Sequence, residues 1–232
     1  MKVWAALLLL LTLTSPMAYA IGYPEYDPQR ILTVSEDASG QKIFGLDMRY
    51  LDRMLGDLSR HAGRYPPNFD SPGQKQRAIQ DLNALSGMLG LLLKDGKPNP
   101  QILFRSAITN RMAHNLDISG ASEKAGQQFQ SLLLIEPNAP LGNFQYGVFL
   151  AETGSAERSI PFLEKALSLG VDEANYTLGM AHLSLGNKAE ALSRLNAYSK
   201  SNPGDESVKE LIKAIKSDQG ISALSRSSNA GQ

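Results

Sequence analysis

The chain has 232 residues, 42% of them hydrophobic and 20% charged, with 23 basic and 23 acidic side chains, a net formal charge of +0 and no cysteine. The missing thiols exclude disulfides, a lipidated-cysteine anchor, thiolate metal sites and cysteine catalysis. The charge balance disfavours strong binding to nucleic acid and general binding to anionic surfaces.

Residues 1–20 read as an export signal. Lys2 opens a short positive start, Val3 to Leu13 is apolar except for Thr12, Ser15-Pro16 breaks the run, and Ala18-Tyr19-Ala20 offers small residues where a signal peptidase reads. Cleavage would leave Ile21 first. An uncleaved anchor is the alternative, but the run is shorter than the ~20 apolar residues that span a bilayer. No later stretch is long and apolar enough, so no integral membrane segment is expected after cleavage. Export without cysteine points to a bacterial periplasmic protein, with secretion as the alternative.

Residues 21–46 contain Pro24, Pro28 and Gly40 and little helical periodicity, so an extended arm is expected, with a hairpin candidate at Arg30 to Ser35 and Gln41 to Phe44. From Asp47 the spacing turns helical. Leu51, Met54, Leu55, Leu58 and Ala62 recur on one face, and the run stops at Gly63 and Pro66-Pro67. Ser71-Pro72-Gly73-Gln74 is an N-cap, a first-turn proline and a capping-box glutamine, opening a helix to about Lys94. Residues 47–98 thus read as an N-terminal helical hairpin, either divergent repeats or a separate cap.

Asn99-Pro100 starts another helix, and three pairs are expected at 100–116 with 121–135, 139–153 with 156–168, and 172–185 with 188–201. Asp205 to Lys216 should form a last amphipathic helix, with Val208, Leu211, Ile212 and Ile215 on one face. Residues 218–232 are rich in Ser, Asn and Gly and are expected to be disordered. The Asn143–Gly147 and Asn175–Gly179 signatures lie 32 residues apart, and each is followed by a glycine seven residues on, Gly154 and Gly186. A period in the low thirties marks stacked helical hairpins.

The pairs resemble tetratricopeptide repeats. Leu178-Gly179, Ala191, Leu195 and Pro203 fit that pattern in the last pair; Tyr146-Gly147, Ser159, Leu163 and Ala166 fit in the middle one; Ser106-Ala107, Ala125, Phe129, Leu132 and Pro137 fit in the first. The departures are the 40-residue interval from Ala107 to Gly147, Val171 in place of a closing proline, and Asn143 and Asn175 where the family usually has a large apolar residue. The resemblance implies an all-α, α-α superhelix of antiparallel helical hairpins over residues 99–217, with extra N-terminal helices and a C-terminal capping helix. Gly147 and Gly179 are then helix-crossing contacts; at Gly179 leucine should overpack and alanine should be tolerated or mildly stabilising.

Function in such arrays lies on the concave face, formed mainly by the first helix of each pair. Stacking would align Phe104, Ile108 and Arg111 with Phe144 and Val148, and with Tyr176, Met180 and Leu183. An apolar groove with aromatic steps suits a peptide or helix of a protein partner. The opposing reading is that the N-terminal helices or the arm already fill the groove, leaving a structural subunit of an envelope complex. A second candidate surface is Arg49, Arg53, Arg60 and Arg64, which share a stripe about 60° wide at ~100° per residue. They could grip carboxylates or phosphates, or simply form a solvated helix face.

No catalytic motif is present. His61, His114 and His182 are far apart, and no HxxxH or HExxH pair, phosphate loop or nucleophile elbow occurs. Two carboxylates could still meet in space as hydrolases require. The expectation is a non-enzymatic adaptor in the bacterial cell envelope with no metal and no cofactor, a protein or peptide as partner, and no nucleic acid.

Overall fold

A computed structural model describes residues 22–94 and 99–217. The expected signal peptide and C-terminal tail lie outside the described residues. Among those described, a turn of 3-10 helix at Pro28–Ile31 leads into an antiparallel hairpin, β1 (Leu32–Glu36) and β2 (Lys42–Leu46), with Val34 opposite Phe44. Helices α1 (Met48–Ala62) and α2 (Pro72–Leu92) follow. Three pairs come next: α3 (Pro100–Asn115) with α4 (Ala121–Ile135), α5 (Pro140–Glu152) with α6 (Ala156–Ser168), and α7 (Ala174–Ser184) with α8 (Lys188–Ser201). Helix α9 (Glu206–Lys216) closes the array.

The arm is not a loose extension. Tyr23 and Ile31 are fully buried in the core that α1 and α2 share with both ends of α3. The Tyr23 hydroxyl donates to Asp81 of α2 at 2.6 Å, and its ring packs edge-on to His61 and Phe69. Helices α1 and α2 both touch the 3-10 turn, and α2 rests its backbone mainly against α3 instead of pairing closely with α1. The arm therefore fills the space between α1 and α2.

Each first helix of a pair ends in the same way. Gly154 and Gly186 adopt φ 77°, and the next residue's N–H donates back to the third residue from the helix end, Ser155 to Leu150 and Asn187 to His182, both at 2.8 Å. That is the left-handed cap for which glycine is preferred. In the first pair Asp117 takes this position at φ 59°, with Ile118 donating to Ala113 at 3.0 Å. The repeat there is real, though its marker is an aspartate.

The two mid-helix glycines sit where helices cross. A Cβ on Gly147 would lie 2.6 Å from Leu163 Cγ, and one on Gly179 would lie 2.6 Å from Leu195 Cγ and 3.3 Å from the Ala191 carbonyl oxygen. These distances overturn the expectation that alanine fits at Gly179. The contacted atom is the branch carbon of a fully buried leucine, which cannot swing aside as a side-chain tip would. The asparagines that break the family pattern also have a job. Asn143 donates to the carbonyls of Pro137 and Ala139 at 3.0 and 2.9 Å, and Asn175 donates to that of Asp172 at 3.2 Å. They fasten each loop to the helix it enters.

Candidate functional site

The concave face is closed at one end and open at the other. The last carbonyls of α1 lack intrahelical partners, as at any helix C-terminus, and α3 supplies donors for the region: Asn115 donates to the Ala62 carbonyl at 3.0 Å and Arg111 Nη2 to the Gly63 carbonyl at 3.0 Å. Arg111 Nη1 also donates to Glu152 of α5 at 2.6 Å, in an ion pair whose side chains are 6% and 20% exposed. The end of α1 is thereby clamped over the first repeat. Ile108 is absorbed into the cores on either side of α3, and Arg111 is a structural tie.

Beyond that clamp a groove of ≈ 1220 Å³ remains. Its floor is α5 and α7, contributing Phe144, Gln145, Val148, Tyr176, Thr177 and Met180. One wall is the end of α1 and the segment after it, with Arg60, His61, Arg64, Tyr65 and Asn68; the others come from His114, Asp117, Glu152, Glu173 and Tyr198. Phe144 and Val148 pack at the edge of the middle core, and Tyr176 at the edge of the last, so all three keep one face toward the groove. Tyr65 stands at the rim 69% exposed.

Of the residues expected from sequence, the groove brings together Arg111, Phe144, Val148, Tyr176 and Met180, while Phe104, Ile108 and Leu183 do not line it. Leu183 packs in the last core. Half-buried Phe104 stands one turn before Ile108, beyond the groove's closed end. The arginine stripe divides. Arg60 and Arg64 join the groove wall, Arg60 paired with Asp57 and Arg64 lying 6.0 Å above the Tyr176 ring. Arg49 and Arg53 line a separate cleft of ≈ 310 Å³ with Arg30, Asp47 and Tyr50.

Sequence reasoning missed the wall formed by residues 61–68. Its signal is the aromatic and proline content of Tyr65-Pro66-Pro67 after a helix stop, which in the sequence reads only as punctuation. His61 is fixed there by stacking on Phe69 at 5.2 Å and by a 2.9 Å contact between Nδ1 and the Asn68 carbonyl. The Tyr198 phenol is pushed above its usual range, first by burial and then by the charge of Asp205, toward which its hydroxyl is directed at 3.5 Å. Charges of both signs surround the groove, with Arg60, Arg64 and Arg111 against Asp117, Glu152 and Glu173. The apolar floor, not net charge, is its dominant chemistry. Among the described residues no cluster of three or more His, Asp or Glu is placed to hold a metal ion, and no helix is long and apolar enough to cross a membrane.

No protein-family model matches the chain, and neither does any curated protein. By fold it is similar to the crystal structure of MamA, with a TM-score of 0.55 and 18% identity over 66% of this chain and 88% of that one. It is also similar to a thermophilic TPR protein in Thermus thermophilus, with a TM-score of 0.50 and 16% identity over 72% of this chain and 91% of the other. At these identities the likeness shows the fold, an all-α superhelix of tetratricopeptide-like helical pairs.

Proposed function

We propose that the chain is a non-enzymatic scaffold that holds an extended peptide or helix of a protein partner in the groove over its second and third repeats, in the bacterial periplasm. The observation that carries this reading is the half-filled concave face. Clamping α1 over the first repeat uses Arg111 and Asn115, yet Phe144, Val148, Tyr176 and Met180 keep apolar surface turned toward an unfilled groove. Aromatic and methionine side chains on a rigid floor give a large contact area at low entropy cost, and methionine adapts its shape to the guest. The periplasmic setting rests on the export-like start of the sequence.

Phe144→Ala tests the groove. It removes a half-buried ring that packs against the middle core without belonging to it. The reading predicts partner capture reduced at least about tenfold, as for an interface anchor, with stability changed by less than the ~3–5 kcal/mol of a fully buried phenylalanine truncation. A full-sized stability loss with unchanged capture would instead mean that Phe144 is core and that the chain is a structural subunit. The signal is tested separately by sequencing the N-terminus of the exported protein, where Ile21 as first residue is expected.

A further inference from the structure

The cleft at the root of the hairpin has no role in the groove. Arg30 lies in the turn just before β1, and Arg49 and Arg53 lie in the first turns of α1 just after β2. All three are exposed, and all three face the same ≈ 310 Å³ space with Tyr50. None is ion-paired among the described residues, whereas Arg60, Arg105, Arg111 and Arg194 each hold a carboxylate. Arg30 is held 5.0 Å above the Tyr50 ring. The cleft's one carboxylate, Asp47, accepts the Tyr50 backbone N–H at 3.0 Å as the α1 cap. Asp47 offsets one of the three guanidinium charges, so the space keeps an excess of positive charge that favours an added anion.

The hairpin beside this cleft is apolar on one face. Register places Leu32 opposite Leu46 and Val34 opposite Phe44, and cross-strand partners share a face. Leu46 packs on the core, while Leu32, Val34 and Phe44 are 52%, 58% and 77% exposed. At the far end Glu36 faces Lys42, and Asp37 closes the turn by accepting from Ser39 and Gln41. That polar tip does not suit end-on insertion, but it leaves the apolar face free to lie side-on. Unpaired arginines next to exposed aliphatic and aromatic side chains make the chemistry of an interfacial lipid contact, with cations on headgroup phosphates and apolar groups at the acyl boundary.

We propose that this end of the molecule docks on an anionic lipid surface, Arg30, Arg49 and Arg53 holding headgroup phosphates while Leu32, Val34 and Phe44 enter the interface. The balanced net charge of the chain gives no general attraction to such a surface, so binding depends on these residues. The inference stands independently of the groove.

The test is sedimentation of the exported chain, with Ile21 as its first residue, with vesicles of phosphatidylcholine alone and of phosphatidylcholine mixed with phosphatidylglycerol. Without residues 1–20 the apolar run Val3–Leu13 adds no vesicle binding of its own. The native chain should prefer the anionic vesicles, and Arg49→Glu with Arg53→Glu should lower that partition at least about 25-fold, at roughly fivefold per arginine. Phe44→Ser should weaken binding severalfold on the same vesicles. Unchanged thermal unfolding of each variant checks the fold, and Arg30→Gln gives an independent arm should the double variant misfold. Equal binding of the native chain to both vesicle types overturns the proposal, as does an unaltered partition of the arginine variants. Saturable binding of inorganic phosphate to the native chain, lost in the arginine variants, with vesicles of both compositions ignored would assign the cleft to a free phosphate. Capture of a phosphorylated peptide with vesicles ignored would assign it to a protein, and either result overturns the lipid surface.

Discussion

Alanine at Gly179 and alanine at Gly87 should shift stability in opposite directions. Both glycines are inside helices, α7 and α2, where alanine is favoured by roughly 1 kcal/mol on backbone entropy and helix propensity. At Gly87 nothing lies within 4 Å of the added methyl, so that gain should be realised nearly whole. At Gly179 the methyl would sit 2.6 Å from Leu195 Cγ and 2.9 Å from its Cδ2, in a leucine with no exposed surface. Forcing extra volume into such a contact costs about 1–3 kcal/mol. Propensity cancels between the two variants, leaving a gap of roughly 1–3 kcal/mol with Gly87→Ala the more stable. Urea unfolding reads this directly, because at a slope of about 2 kcal/mol/M the midpoints separate by roughly 0.5–1.5 M. Adding Leu195→Ala removes the opposing atoms, and in that background Gly179→Ala should carry no further penalty. Equal stabilisation at both sites would refute the crossing-contact reasoning.

Arg111→Ala should destabilise by about 3 kcal/mol, since it leaves Glu152 and the Gly63 carbonyl without their partner in a largely buried setting. Arg111→Lys should not restore the loss, because one ammonium lacks the fork that reaches both acceptors, and hydrogen exchange should show α1 opening first. Burial raises the Asp81 carboxyl above its ordinary range despite the Tyr23 hydroxyl and Arg77, so the folded state binds that proton more tightly than the unfolded one. The free energy of unfolding of the native chain relative to Asp81→Asn should therefore rise as pH falls through the raised folded pKa and level off below the ordinary aspartate pKa; a difference independent of pH would contradict the assignment. Truncation before Asp205 removes Val208, Ile212 and Ile215 from the last core and uncovers Leu195, so size-exclusion chromatography should show association that the full chain lacks. Ile215→Ala alone should cost about 3 kcal/mol in denaturant unfolding.

The helical pairs were legible because their periodicity, caps and small crossing residues are local features, and α3 to α8 lie within two residues of the bounds read from sequence. The first repeat departs from the 32-residue rhythm because α3 and α4 are longer than the helices of the next pair. Its left-handed cap is Asp117, so it also lacks the glycine that marks the other two. At the groove, alignment of Phe144, Val148, Tyr176 and Met180 followed from stacking alone. What periodicity could not show is that α1 returns across the first repeat, because that contact depends on Arg111 and Asn115 finding the carbonyls of Gly63 and Ala62 about 50 residues earlier. The arm reads as loose in the sequence for a similar reason. Tyr23 gains its partner Asp81 only once α2 has folded beside it.

The central claim is that the groove over the second and third repeats receives a protein partner, and site-directed photo-crosslinking in the native cell tests it most directly. A photoreactive side chain replaces Thr177 on the groove floor or, as a control, Lys165 on the exposed face of α6. The account predicts a discrete adduct from position 177, lost when Phe144→Ala is added, and none from position 165. Adducts from position 165 alone, or a position 177 adduct that survives Phe144→Ala unchanged, would contradict it.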